Sequence, residues 1–415
     1  MNNLLAGVRI VEVSAFIAAP LGGMTLAQLG ADVIRIDPIG GNIDIARWPL
    51  APSGDSLYWA GLNKAKRSVT LALGTEEGQA LARALICAPS GAPGHTDGGE
   101  AGALLTNLPA AKGWMSHAAL SADCPDLIML RLTGNADGSA AIDYTVNCAS
   151  GFPLATGPGG GPVNHVLPAW DIAAGLYLAT GFLAALRERG RTGQGQEVTL
   201  SLADVMLAGV ASLGYVADVQ VNGVVRPPMG NDLYGAFGRD FLLADGRRVM
   251  LTAISNRQWR AIGTATGLAE KLAMIGPMMD VDLDDEGGRF AARRAIAAVL
   301  EPWFARHSLA DVTAAFEGHG VLWGPYQDFG QLVRDDPRCS EANPMFATVD
   351  QPGAGPILAN AVPLDFKATG RRPPLRAPRL GEHTEEVLAQ LLGLPAHEYA
   401  RLHDAGVVAG PEGRR

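Results

Sequence analysis

The sequence predicts an α/β fold, and three observations carry that prediction. Short Val/Ile/Leu-rich runs alternate with helical stretches through the first half, the first set closes as a βαβ unit, and the character changes after residue 223. In the first set, residues 8–13 read as a buried strand, 20–29 as a short helix closed by Gly30, and 31–36 as a second strand. That is the spacing of a right-handed crossover in a parallel sheet. The first turn is Ala15-Phe16-Ile17-Ala18-Ala19-Pro20 and lacks GxGxxG, so the unit is Rossmann-like without a dinucleotide fingerprint.

The alternation continues. Thr75 is placed to cap a helix that runs to about Cys87, a Gly/Pro-rich loop fills 88–102, and strands follow at 103–108 and 126–132. Asp171 then opens a long apolar helix, which a Gly-rich turn at Gly193 and Gly195 ends before a β-rich run over 196–202. Another helix is expected at 206–219, and GVVRPPMG at 223–230 reads as a linker. Beyond it, 237–254 alternates around Asp245-Gly246, a hairpin signal, and helical stretches fall at 257–266, 289–306 and 309–317. This α+β segment reads as a separate, smaller domain. Strand character returns at 321–325 and 345–349, and Thr384 is expected to cap a final helix over 385–392.

Composition narrows the function classes. With 415 residues, 48% hydrophobic and 18% charged, the chain has the make-up of a soluble globular enzyme of one or two domains. A net charge of −9 leaves no basic face for nucleic acid. The four cysteines are scattered without a CxxC pair, so neither a disulfide framework nor a zinc site is expected, and a reducing cytoplasm fits. The start MNNLLAGVRIVEV lacks a signal peptide's pattern. The apolar run 172–186 is shorter than a bilayer requires, so it reads as a buried core helix and no membrane partner is expected.

Asp171 is the sharpest chemical candidate. A carboxylate at a helix N-terminus, between Trp170 and an apolar run, is expected to be held ionised by the helix dipole and partly shielded from water. Those are the needs of a nucleophile, although most such Asp residues serve only as caps.

The surrounding block resembles the family III CoA transferases. It carries an aspartate, an Ala/Gly-rich helix, and then Thr192-Gly193-Gln194-Gly195-Gln196-Glu197-Val198 running on to Ser201-Leu202-Ala203-Asp204. The C-terminal phrase from Pro378 to Thr384 is similar to the family's PxLGEHT, so three motifs stand in the family's order once the N-terminal βαβ unit is included. The resemblance implies a large Rossmann-like domain built from both chain ends (1–222 and 331–415), an inserted small α+β domain (223–330) and an interlocked homodimer. It implies an acyl-CoA thioester as substrate, CoA entering only as part of it, and no metal or redox cofactor. The family aspartate that forms anhydride and aspartyl-CoA intermediates falls on Asp171.

By the same resemblance, Phe16, Ile17 and Ala18 meet the ligand through the backbone. Lys66 and Arg67 of the Asn63–Ser68 segment reach CoA phosphates, Asn107 and Leu108 form the adenosine site, and Lys112 lies near a usual Arg. Pro38 and Thr133 stand where some members have basic residues. Ile142 and Ser255 replace the His and Glu that racemase members use on the two faces of a carbon, which disfavours a racemase. Where many intermolecular members carry a run of glycines, this chain has Leu233, Tyr234 and Phe237, bulk that suits a closed site. The resemblance, taken with residues 11–37 and 164–171, implies intramolecular CoA transfer between the two carboxyls of one branched C5 dicarboxylate. An intermolecular transferase and a non-catalytic CoA-binding protein are the alternatives. His165, Arg47 and Arg239 are candidates to clamp the free carboxylate.

Overall fold

The computed structural model describes residues 4–89 and 102–411, so most of the expected Gly/Pro-rich loop lies outside the described residues. The strands in chain order are β1 (Arg9–Val13), β2 (Asp32–Asp37), β3 (Arg67–Leu71), β4 (Ala103–Thr106), β5 (Ile128–Thr133) and β6 (Gln196–Ser201). They continue with β7 (Phe237–Leu242), β8 (Arg248–Ala253), β9 (Leu322–Pro325), β10 (Phe346–Gln351), β11 (Gly355–Asn360) and β12 (Val408–Ala409). The first helices are α1 (Ala18–Gln28), α2 (Leu57–Leu62), α3 (Glu76–Cys87), α4 (His117–Leu120), α5 (Asp143–Ala149), α6 (Phe152–Ala155), α7 (Ala169–Thr192), α8 (Leu202–Ser212) and α9 (Tyr215–Asn222). Then come α10 (Asn256–Thr266), α11 (Ala269–Ala273), α12 (Ile275–Met279), α13 (Glu286–Ala291), α14 (Arg293–Phe304), α15 (Leu309–Phe316), α16 (Phe329–Asp335), α17 (Thr384–Leu392) and α18 (Ala396–Asp404).

Two compact units result. One is drawn from Met1–Ser150, Val166–Asp218 and Pro337–Arg415, the other from Gly151–His165 and Val219–Asp336. The first holds a seven-stranded sheet in the order β12-β3-β2-β1-β4-β5-β6, parallel except for β12, which runs antiparallel to β3. Every residue of β1 is buried, as the central strand of a parallel sheet with helices on both faces must be. One face packs Leu85 and Ile86 of α3 with Val387 and Leu388 of α17. The other packs Leu26 of α1 with Leu178 and Phe182 of α7 and Val205 of α8.

In the second unit β7, β8 and β9 form an antiparallel sheet. The β7–β8 turn uses Asp245, whose Oδ1 accepts from the Arg247 N–H. Phe237, Phe241, Trp259, Ile296, Phe304 and Phe316 fill its core.

The C-terminal PxLGEHT-like phrase has a structural task. Gly381 N–H donates to Ser68 Oγ, His383 Nδ1 accepts from Ser68 N–H, and Thr384 Oγ1 accepts from Thr70 N–H. These bonds satisfy the edge of β3 just before β12 pairs with it, which ties the chain's end to its beginning. Thr384 is thus spent on β3, and His383 rather than Thr384 occupies the N-cap of α17.

Other expectations need correction. The helix expected at 206–219 is broken into α8 and α9 at Gly214, whose φ of 82° a continuous helix cannot hold. The strand expected at 345–349 is present as β10, which pairs with β11 in a hairpin. Residues 151–165, expected in the large domain, belong to the second unit. Helix α7 is 24 residues long and buries one face only, leaving Leu176 and Tyr177 about half exposed at 50% and 55%. By length and composition it is long enough to cross a membrane. Finally, Cys87 and Cys124 lie side by side with Cα atoms 5.6 Å apart. Packing of the α3 C-terminus into the core beside Leu120 and Leu127 brings together cysteines whose sequence spacing gave no sign of it.

Candidate active site

Asp171 lies in the first turn of α7, not at its N-cap. The N-cap is Pro168, which has no side chain able to accept from the helix's first N–H groups. Another helix supplies the acceptor: Asp143 Oδ2, from the first residue of α5, takes the N–H of Trp170 at 2.8 Å and of Asp171 at 3.1 Å. Trp170 Nε1 donates to Asn147 Oδ1 one turn further along α5, at 3.1 Å. The peptide that carries Asp171 is therefore held by a buried carboxylate whose Oδ1 has no hydrogen-bond partner among the described residues.

The second half of the site is the turn between β1 and α1, which side chains pin at three successive residues. Ser14 O accepts from Arg35 and Asn42; Ala15 donates its N–H to Asn107 Oδ1 at 2.9 Å and accepts from Asn107 Nδ2 at 2.7 Å. Phe16 N–H donates to Asp44 Oδ1 at 2.9 Å. Phe16 holds φ 67°, an unfavourable conformation for a bulky residue that the surrounding bonds fix. Ile17 and Ala18 begin α1 with their N–H groups taken by no acceptor among the described residues. They form an N-terminal pair suited to a thioester oxygen or carboxylate.

Glycine brings the halves together. A Cβ at Gly175 would lie 2.7 Å from Ala18 O, and one at Gly22 would lie 3.0 Å from Gly175 O, so α1 and α7 cross nearly in backbone contact. Asp171 is one turn before Gly175 on the same helical face. It therefore stands beside the start of α1. Arg47 completes the surroundings, its guanidinium 5.0 Å from the Tyr58 ring centroid and 5.6 Å from that of Phe16. Tyr58 has a buried hydroxyl with no hydrogen-bond partner among the described residues. Burial raises its pKa, with the charges of Asp44 and Asp171 adding to the effect.

Burial first, and then the charge of Asp143, push the Asp171 carboxyl up to about 7, with Arg47 opposing. The helix dipole was expected to keep it ionised. Desolvation and a like charge outweigh the dipole, whose first-turn N–H groups are already matched to Asp143.

The other sequence-predicted residues are dispersed. Lys66 is buried and its ammonium donates to Glu12 Oε1, Pro20 O and Asn63 Oδ1 at 2.8–2.9 Å, so no donor remains for a phosphate. Arg67 pairs with Asp32 and Gln390 on the β3 edge. Asn107 holds the Ala15 backbone with its side chain, Leu108 is partly buried beside it, and Lys112 is exposed. Arg239 faces Asp232 and Glu301 at 3.9 and 3.8 Å in the second unit, where the His165 Nδ1 atom is buried without a partner among the described residues. Reading the sequence missed Asp143, Tyr58, Asp44 and Asn42. Only Asp143 had a signal: a helix opening on Pro168-Ala169-Trp170 has no cap of its own and needs an acceptor from elsewhere.

The chain belongs to the CoA-transferase family III, whose model matches residues 5–384. It is 52% identical over 415 residues to the 2-methylfumaryl-CoA isomerase of Chloroflexus aurantiacus, covering 99% of each chain. It is 28% identical to the succinyl-CoA:mesaconate CoA-transferase of Haloarcula marismortui, over 92% of this chain and 95% of that one. Among solved structures, a CAIB/BAIF family protein from Brucella suis superposes with a TM-score of 0.76 at 26% identity, covering 94% of this chain and all of that one.

Proposed function

We propose that this enzyme moves CoA between the two carboxyls of mesaconate, converting 2-methylfumaryl-CoA to 3-methylfumaryl-CoA without releasing the acid. The observation that carries the reading is the 52% identity over the full length to a 2-methylfumaryl-CoA isomerase, against 28% to the intermolecular mesaconate transferase. The loop bulk supports it. Leu233 N–H donates to Gly238 O at 2.8 Å, Tyr234 packs between Arg226 and Phe290, and Phe237 is buried in the second unit's core. A segment anchored this way is not a swinging run of glycines.

The route uses Asp171 as nucleophile. Its carboxylate attacks the thioester carbonyl, the C–S bond breaks, and the electron pair leaves on CoA thiolate, giving a mixed anhydride. Thiolate attacks the Asp171 carbonyl and expels mesaconate as a carboxylate, leaving aspartyl-CoA. Mesaconate turns, its other carboxylate attacks the aspartyl thioester, and thiolate finally attacks the substrate side of the second anhydride. Each step exchanges one activated acyl group for another. The protein's contribution is thus proximity, oxyanion donors at Ile17 and Ala18, and exclusion of water. Arg47, with no carboxylate of the described chain within ion-pair distance, is the clamp for the substrate's free carboxylate.

The working form is a homodimer. Helix α9 buries none of its residues, and Leu176, Tyr177, Leu207 and Leu213 of α7 and the α8 end are exposed, an apolar set that a second copy covers. The decisive experiment incubates purified protein with mesaconyl-CoA and isotope-labelled free mesaconate, and separates the two thioester isomers. Isomer interconversion without label in the acyl-CoA is expected. Substantial label would make the enzyme an intermolecular transferase.

A further inference from the structure

We propose that Asp143 is a positioning residue that drives acylation of Asp171: it fixes the peptide of the nucleophile while repelling its charge, and that repulsion disappears when Asp171 becomes an anhydride or thioester. The inference rests on the covalent route proposed above. Its geometry is that of the α7 N-terminus, where Asp143 Oδ2 accepts from both Trp170 and Asp171 N–H and Asp143 Oδ1 is buried without a partner among the described residues. The charged or titratable groups facing Asp171 are Asp143 from α5, Arg47 from the segment before α2, and Tyr58 from α2. Helix α1, packed against α7, carries none.

The charge balance makes the consequence specific. When the Asp171 carboxylate attacks the thioester, its charge leaves on CoA thiolate; when thiolate then attacks the Asp171 carbonyl, the anhydride C–O bond breaks and the electron pair leaves on mesaconate, so over the two steps the negative charge moves from the enzyme's carboxylate to the substrate's. Protonation of Asp171 and acylation of Asp171 remove the same charge from the same place. Whatever Asp143 does to one equilibrium it does to the other. The raised Asp171 pKa is the visible half of this effect.

Asp143→Asn keeps an oxygen that can accept from both N–H groups and removes only the charge. The expected result is a rate–pH midpoint about one unit lower than in wild type, together with an acyl-enzyme fraction about tenfold smaller, since one pKa unit is a factor of ten in the linked equilibrium. The acyl-enzyme is trapped with hydroxylamine and measured as modified Asp171 peptide by mass spectrometry. Asp143→Ser, also a neutral acceptor, serves if the Asp143→Asn variant does not fold, and should shift both readouts the same way. Asp143→Glu, which retains the charge, should return the midpoint toward the wild-type value. An adduct in wild type with both readouts unmoved in the neutral variants overturns the role of Asp143 alone. No Asp171 adduct in wild type overturns the covalent route and this inference with it.

Discussion

Replacing Gly175 with Ala tests whether the close crossing of α1 and α7 is what places Asp171. The added Cβ would lie 2.7 Å from Ala18 O and 3.0 Å from Leu21 Cβ. Non-bonded atoms rest at about 3.5 Å, so the helices must separate by roughly 0.8 Å or α7 must rotate. Overpacking of this kind costs about 1–3 kcal/mol, and replacing a helical glycine with alanine returns about 1 kcal/mol. The net effect on stability is thus a loss of about 0–2 kcal/mol, a few degrees in Tm at most. Catalysis is more sensitive, because a misplacement of about 1 Å can cost about a hundredfold. We expect kcat for isomerisation to fall by about ten- to a hundredfold while the protein remains folded by circular dichroism and still binds CoA by calorimetry. Gly175→Val should be worse in both respects. A Gly175→Ala variant with wild-type kcat would refute the claim that the crossing sets the nucleophile's position.

Asp171→Asn should abolish turnover while leaving a folded protein. The folded-state pKa of Asp171 is raised to about 7, so wild type loses stability as pH rises from about 4 to about 7, a loss the amide variant escapes; the Tm difference in favour of Asp171→Asn should widen across that range. The wild-type rate should rise with pH through about 7 as the carboxylate forms, read from a pH series of initial rates. Arg47→Met should raise KM for mesaconyl-CoA by about tenfold or more with a smaller effect on CoA binding, measured by steady-state kinetics beside calorimetry. Glu382, hydrogen-bonded to Arg376 and to the Arg379 N–H, titrates at about 2, below its ordinary value. It therefore contributes stability above about pH 4.3 that is lost as pH falls toward about 2, and Glu382→Gln should lower Tm at neutral pH but converge on wild type in acid.

Much of the fold was legible because it rests on local patterns. Val/Ile-rich runs following Gly7 and Gly30 marked β1 and β2, and Asp245-Gly246 marked the β7–β8 hairpin. The two-residue β12 and the β10–β11 pairing left no such trace, since each depends on a partner distant in the chain or on a pairing that local patterning does not announce. The candidate site was legible where one residue type stands out in one context, as does Asp171, the nucleophile proposed above, in its motif. It was illegible where function comes from convergence. Asp143, Tyr58 and Asp44 reach the site from three elements, and nothing in the spacing of residues 44, 58 and 143 brings them together. Lys66 shows the opposite error: a cation in a phosphate-like context was expected to face a ligand, but it sits under the sheet paired with Glu12.

That buried pairing bears on how the turn works. Glu12, Arg35, Asp37, Asp44 and Lys66 are all essentially inaccessible to solvent beneath residues 14–16, three acids against two bases. Gathering such charges in the interior costs several kcal/mol per ion before pairing, and apolar residues of the same volume would often be as stable. Stability therefore does not explain the cluster. What apolar residues could not do is hold Ser14 O and Phe16 N–H in fixed directions, and Arg35 and Asp44, bonded to each other at 2.8 Å, do both. The cluster acts as a rigid polar scaffold that keeps Phe16 at a positive φ at the start of α1. Asp44→Asn should separate these roles. It keeps an acceptor for Phe16 but breaks the charge pairing with Arg35, so the protein should lose stability, about 3 kcal/mol or more by analogy with broken buried pairs. Asp44→Asn should retain kcat better than Asp44→Ala, which frees the turn; equal kcat losses at equal foldedness would show that the turn does not depend on that bond.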